Sequence, residues 1–179
     1  MTVEIASLNV PIGTIHTTVA FLRSFGQFEA CCFWLGHRQP DGAGLVQAVV
    51  VPQQKSNPGN YHIAPEAMVE VAAAVRHHGW KNLAQIHSHP GDDVHHSAYD
   101  DQMANSRRAL SLVFPRYGRL KAAWRWRRWI WRLWPSEFPD AIGIHAFIGG
   151  RWTYLAQADR APAIKLVAGP HPEVIDLRT

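Results

Sequence analysis

At 179 residues, 47% of them hydrophobic, the chain can bury one sizeable core and reads as one domain over residues 1–179, with no internal repeat. It opens without a basic leader and apolar stretch, and no window approaches the length of a membrane-spanning helix. A secreted or membrane-spanning protein is therefore not expected, and a cytoplasmic one is. The formal net charge of +4 is local: residues 116–134 hold seven Lys or Arg and no acid, which leaves the remainder formally −3.

Ile12 to Phe25 places apolar residues at Ile15, Val19, Leu22 and Phe25, the spacing of a helix. Glu29 to Leu35 and Leu45 to Val51 are apolar runs rich in Val, Phe and Trp. They read as the strands of a hairpin joined through Gln39-Pro40-Asp41-Gly42. Cys31 and Cys32 are adjacent inside the first run, cannot build a relaxed disulfide framework, and read as small core residues. Pro52 to Asn60 reads as a polar loop, after which Pro65 opens an Ala- and Val-rich helix that Gly79 ends. A strand over Leu83 to His89 follows, then the opening of a helix at Ala98 to Asn105 and a strand over Leu110 to Phe114. Ile142 to Ile148 and Trp152 to Gln157 read as paired strands across a Gly149-Gly150 turn. The fold class is α/β of the α+β type, a mixed sheet flanked by helices.

The run Gln85 to Asp100 carries the chemistry. In a strand, residues two apart point to the same side, so His87 and His89 reach one point together. Asp100 follows Ser97 at the opening of the next helix, and the loop between can fold it back to the same point. Two imidazoles and one carboxylate suit zinc and leave a fourth position for water, the pattern of a catalytic rather than a structural site. Histidines satisfied in the interior are the plainer reading, but two on one strand face followed by an aspartate point to a metal. His95, His96, Asp92 and Asp93 can in principle add ligands, although a solvated polar loop is the simpler expectation for them. Ser97 with Asp100 three residues later also has the spacing of a helix capping box, a role compatible with a second one. Glu29, taken alone, reads as an ordinary exposed residue at a strand start.

Glu29 ahead of an apolar strand ending in Gly36, then His87-x-His89-Pro90, Ser97 and Asp100, with ten residues between His89 and Asp100, closely resembles the JAMM (MPN+ or JAB) metalloproteases. The resemblance covers roughly residues 29–115. It implies the JAMM/MPN architecture, a cytidine-deaminase-like mixed sheet, with zinc bound by His87, His89 and Asp100. It also implies Glu29 as general acid/base and Ser97 as the group that steadies the oxyanion. Members of the family cleave peptide or isopeptide bonds at the C-terminus of ubiquitin or ubiquitin-like proteins, and bacterial relatives sit beside activating and conjugating enzymes or sulfur-carrier proteins. The expectation is a zinc-dependent peptidase or isopeptidase for deconjugation or precursor processing. Processing of a sulfur-carrier protein by the same chemistry is the neighbouring reading.

Arg116 to Trp134 interleaves Trp with Arg and Lys. Such a segment can stack on and neutralise nucleic acid, lie in an anionic membrane interface, or grip an acidic protein partner. Its tryptophans spread around a helical wheel, which argues against a membrane-surface helix. Partner docking is the functional expectation, since an insertion after the zinc-site helix often serves it in the family. Tryptophans that simply cover the sheet are the plain alternative. A non-enzymatic scaffold binding nucleic acid or protein through this segment is the remaining alternative.

Overall fold

Six consecutive residues, Cys31 to Gly36, are buried, which requires a strand covered on both faces. In the computed structural model, which describes residues 7–104, 106–120 and 135–178, that strand lies at the centre of a nine-stranded mixed sheet. The expectations placed on 121–134 lie outside the described residues.

In chain order the elements are β1 (Leu8–Pro11), α1 (Ile12–Ser24), β2 (Cys31–Arg38), β3 (Gly44–Val51), β4 (Lys55–Asn57), β5 (Asn60–His62), α2 (Pro65–His78) and β6 (Lys81–Ser88). They continue with α3 (Ala98–Met103), β7 (Leu110–Phe114), β8 (Gly143–Ile148), β9 (Arg151–Tyr154), α4 (Gln157–Ala163), β10 (Ile164–Val167) and β11 (Glu173–Asp176). The sheet order is β10-β1-β3-β2-β6-β7-β8-β9, with β11 also paired to β3. β1 meets the start of β3 at Gly44 and Leu45, and β11 meets its end from Ala48 to Val51, so two short strands share one edge of β3. β2 pairs antiparallel with β3 and β6, whereas β6 and β7 run parallel. β4 and β5 form a separate small hairpin.

Alternate residues of the central strands feed two cores. Cys32, Trp34, Ile86, Leu112 and Phe114 pack with Ile15 and Leu22 of α1, while Cys31, Phe33 and Leu35 pack with Tyr61 and with Ala67 and Val71 of α2. The indole N–H of Trp34 donates to Thr18 Oγ1 at 2.9 Å and ties α1 to the sheet. Gly79 ends α2 in the left-handed region (φ 64), where glycine has no steric cost. Both cysteines are buried and free. Among the described residues, no helix is long and apolar enough to cross a membrane.

The structure departs from the sequence reading in five places. The strand expected from Glu29 begins at Cys31, and the one expected through His89 ends at Ser88. Residues 52–60 are not a plain loop, because β4 lies within them and pairs with β5. The strand expected through Gln157 stops at Tyr154, since Gln157 opens α4. β1, β10 and β11 were not foreseen; each is four residues long and is held by parallel pairing to distant segments.

Candidate metal centre

β2 and β6 bring the site together at one end of the sheet. Cys31 pairs with His87, and the ladder runs on past the strand ends, where Ser88 N–H donates to the Ala30 carbonyl at 3.1 Å and Ala30 N–H to Ser88 Oγ at 3.2 Å. Continuing that register sets Glu29 opposite His89. Glu29 is held there by its own N–H, which donates to the Asn57 carbonyl at 2.9 Å. With 5% of its surface exposed, Glu29 is not the exposed strand-start residue its local sequence suggests.

Asp100 reaches the same point from the first turn of α3. His87 Nε2 lies 3.2 Å from Asp100 Oδ1, His89 Nε2 lies 3.3 Å from Asp100 Oδ2, and the two Nε2 atoms are 3.2 Å apart. The capping box is present: Asp100 N–H donates to Ser97 Oγ at 3.2 Å, while Ser97 N–H and its hydroxyl both donate to Asp100 Oδ2 at 2.7 Å. Ser97 therefore orients the carboxylate, with its own surface open to solvent.

Three backbone hydrogen bonds fix the loop after β6. His89 N–H donates to the Phe114 carbonyl, and the N–H groups of Tyr117 and Arg116 donate to the carbonyls of His89 and Gly91, all at 2.8–2.9 Å. Arg116 and Tyr117 hold left-handed conformations (φ 50 and 54), which cost about 1–2 kcal/mol each for non-glycine residues and are maintained by these bonds. Val94 lies against Gly143, where a side chain would run into the Val94 carbonyl. Tyr117 also donates its hydroxyl to the Pro58 carbonyl at 2.8 Å and so links the His89 loop to the hairpin that holds Glu29.

The electrostatics follow from burial around one carboxylate. Desolvation pushes Glu29 up to about 7, with His89 opposing and Asp100 adding to the rise. Desolvation takes His87 down to about 3, so it is neutral. Burial also acts downward on His89, yet its hydrogen bond to Asp100 and that charge leave its pKa raised. Asp100 is desolvated, but His89, His87 and Ser97 hold it well below the usual carboxylate range.

These groups fit a divalent ion. His89 Nδ1 is 3.0 Å from the Asp93 carbonyl, the acceptor that fixes the N–H on Nδ1 and turns the Nε2 lone pair toward Asp100 and His87. The two imidazole Nε2 atoms stand 3.2 Å apart, close to the edge of a tetrahedron with metal–ligand bonds of about 2.0–2.1 Å, roughly 3.3–3.4 Å, and each faces a different oxygen of the Asp100 carboxylate at 3.2–3.3 Å. Among the described residues, His87, His89 and Asp100 form the group able to hold a metal. Asp92, Asp93, His95 and His96 do not join it. Asp92 pairs with Arg116 and His95 with Asp93, and the ring of His96 is bonded to Asp101 and Ser111. Tyr117, Ser111 and His145 were missed from the sequence, where none carries a spacing that ties it to the histidines.

Mixed-sheet topology with a His-His-Asp group at the sheet end places this chain among α/β domains with a candidate metal site. The profile described as prokaryotic homologs of the JAB domain matches residues 13–129, and the chain belongs to that family. Over 124 residues it is 32% identical to a Sinorhizobium fredii protein named probable metalloprotease y4jG, covering 65% of this chain and 75% of that one. In fold it is similar to a Desulfitobacterium hafniense protein (TM-score 0.60, 18% identity, 90% of this chain and 94% of that one). A Salinibacter ruber protein is also similar (TM-score 0.54, 15% identity, 83% and 88%).

Proposed function

We propose that this JAB-family protein is a zinc-dependent peptidase or isopeptidase that cleaves at the C-terminus of a ubiquitin-like protein, in deconjugation or precursor processing. The observation that carries the reading is the convergence of His87 Nε2, His89 Nε2 and the Asp100 carboxylate on one point, with the buried Glu29 opposite His89. Two imidazoles and one carboxylate are a zinc set. An ion held there polarises the scissile carbonyl and acidifies water.

The chain's own residues supply the proton handling. Glu29, whose carboxyl is raised by burial, takes the proton of the attacking water and delivers it to the leaving amine. Ser97 lies exposed beside the ligands, and its hydroxyl rotates from Asp100 toward the oxygen that gains charge. The name of the Sinorhizobium relative supports peptide-bond cleavage. A ubiquitin-like tail is narrow and extended and can lie beside a strand, while its globular body supplies specificity. Residues 1–179 then act as one domain, with 116–134 as an insertion that docks the partner alongside activating and conjugating enzymes.

The test uses zinc-loaded protein with linear fusions of ubiquitin-like and sulfur-carrier proteins and with an isopeptide-linked conjugate. Cleavage after the carrier's last residue, abolished by chelator and by Glu29→Gln while zinc stays bound, is the expected result. Cleavage that persists in chelator, or wild-type turnover by Glu29→Gln, overturns the assignment.

A further inference from the structure

The ring of His96 is almost fully enclosed, with 4% of its side-chain surface exposed, and both nitrogens are engaged by groups outside the metal ligands. Nδ1 lies 2.8 Å from Asp101 Oδ1 on α3, and Nε2 lies 2.8 Å from Ser111 Oγ on β7. The carboxylate can only accept, so Nδ1 carries the proton and Nε2 accepts from the Ser111 hydroxyl. The ring stacks on His145 of β8 at 3.8 Å between centroids, 17° from parallel, and the His96 backbone N–H donates to His145 Nε2 at 3.3 Å. One residue later the chain reaches Ser97, the cap that holds Asp100.

Asp101, His96 and Ser111 have the connectivity of a nucleophile triad. Ser111 nevertheless has no exposed surface and sits within β7 between β6 and β8, out of reach of any substrate carbonyl. The relay therefore serves position. Asp101 lies on α3, Ser111 and His145 on the sheet, and His96 is the bolt between them.

We infer that His96 is a positioning residue for the metal centre: by bridging Asp101 to Ser111 and stacking on His145 it fixes the start of α3, and so aims Asp100 at His87 and His89. This rests on the reading of those three residues as metal ligands. Groups that orient a ligand from behind typically change metal affinity by about 10–100-fold when removed.

The experiment is Co2+ and Zn2+ titration of the full-length metal-free protein against a chromophoric chelator, with the Co2+ d–d spectrum as a report on geometry and thermal unfolding of the metal-free protein as the control on folding. His96→Phe keeps a flat ring and loses both bonds. It should weaken binding by about 10–100-fold and alter the d–d bands. His96→Asn restores a donor near the Nδ1 position and should recover most of the affinity. Asp101→Asn, at an exposed position, and Ser111→Ala test the two bonds singly should His96→Phe fail to fold, and each should weaken binding. Wild-type affinity and an unchanged Co2+ spectrum in every variant that folds would overturn the role of His96. Failure of the wild-type chain to bind either ion would instead sink the metal-site reading itself.

Discussion

The same three strands present two unlike faces. Toward α1, β6, β7 and β8 offer Ile86, Leu112, Phe114 and Ile144, all buried in one apolar cluster. Toward α2 and α3 they offer Gln85, His87, Ser111 and His145, equally buried and polar, with the apolar Val113 set among them. Period-two alternation lets neighbours such as Ile86 and His87 serve opposite purposes. The apolar face supplies stability from area removed from water. The polar face gives some of it up, for the buried Nδ1 of His87 has no hydrogen-bond partner among the described residues. The candidate ligands are held in place at the expense of the fold that carries them.

Substitutions on the two faces should separate these roles. The largest effect belongs to the apolar face: Phe114→Ala, at a fully buried ring beside Phe138, should cost about 3–5 kcal/mol in denaturant unfolding. A loss below about 1 kcal/mol would show that this face does not carry the fold.

Glu29→Gln comes next and has the opposite sign. The folded-state carboxyl binds its proton more tightly than a free one, with a pKa near 7 against 4.5. Folding stability of the metal-free protein therefore falls as pH rises from about 4.5 to about 7, and the full penalty remains above 7. Glu29→Gln should remove that penalty, gaining about 1–3 kcal/mol at pH 8 and converging on wild type toward pH 5. A pH-independent difference would mean that Glu29 is not held in a desolvating site.

The smallest effect sharpens the contrast between adjacent residues. His87→Leu exchanges an imidazole with an unpaired nitrogen for an apolar side chain, so metal-free protein should be as stable as wild type or more so by about 1 kcal/mol. The same change should abolish metal binding. Strong destabilisation would place His87 among the structural residues, with Ile86.

Much of this division was legible in the sequence. The helix from Ile12, the hairpin through Pro40-Asp41-Gly42 and the helix closed by Gly79 announce themselves through periodicity and turn residues, and the structure contains all three. His87, His89 and Asp100 were legible because the end of one strand and the start of one helix fix their spacing, and the structure brings them within 3.3 Å of one another. β1, β10 and β11 were not, because short parallel strands take their stability from partners far along the chain. Ser111 and His145 were invisible for the same reason: only strand pairing across β7 and β8 makes them neighbours of the loop that carries His96.

The most direct measurement is the stoichiometry and affinity of Zn2+ binding to the metal-free chain, followed across pH and repeated with His89→Ala and Asp100→Ala. One ion per chain is expected, with affinity falling as the pH is lowered and His89 keeps its proton. Each substitution should abolish tight binding while the apolar face keeps the protein folded. Tight binding undiminished by either substitution, or no binding by the wild-type chain, would contradict the site.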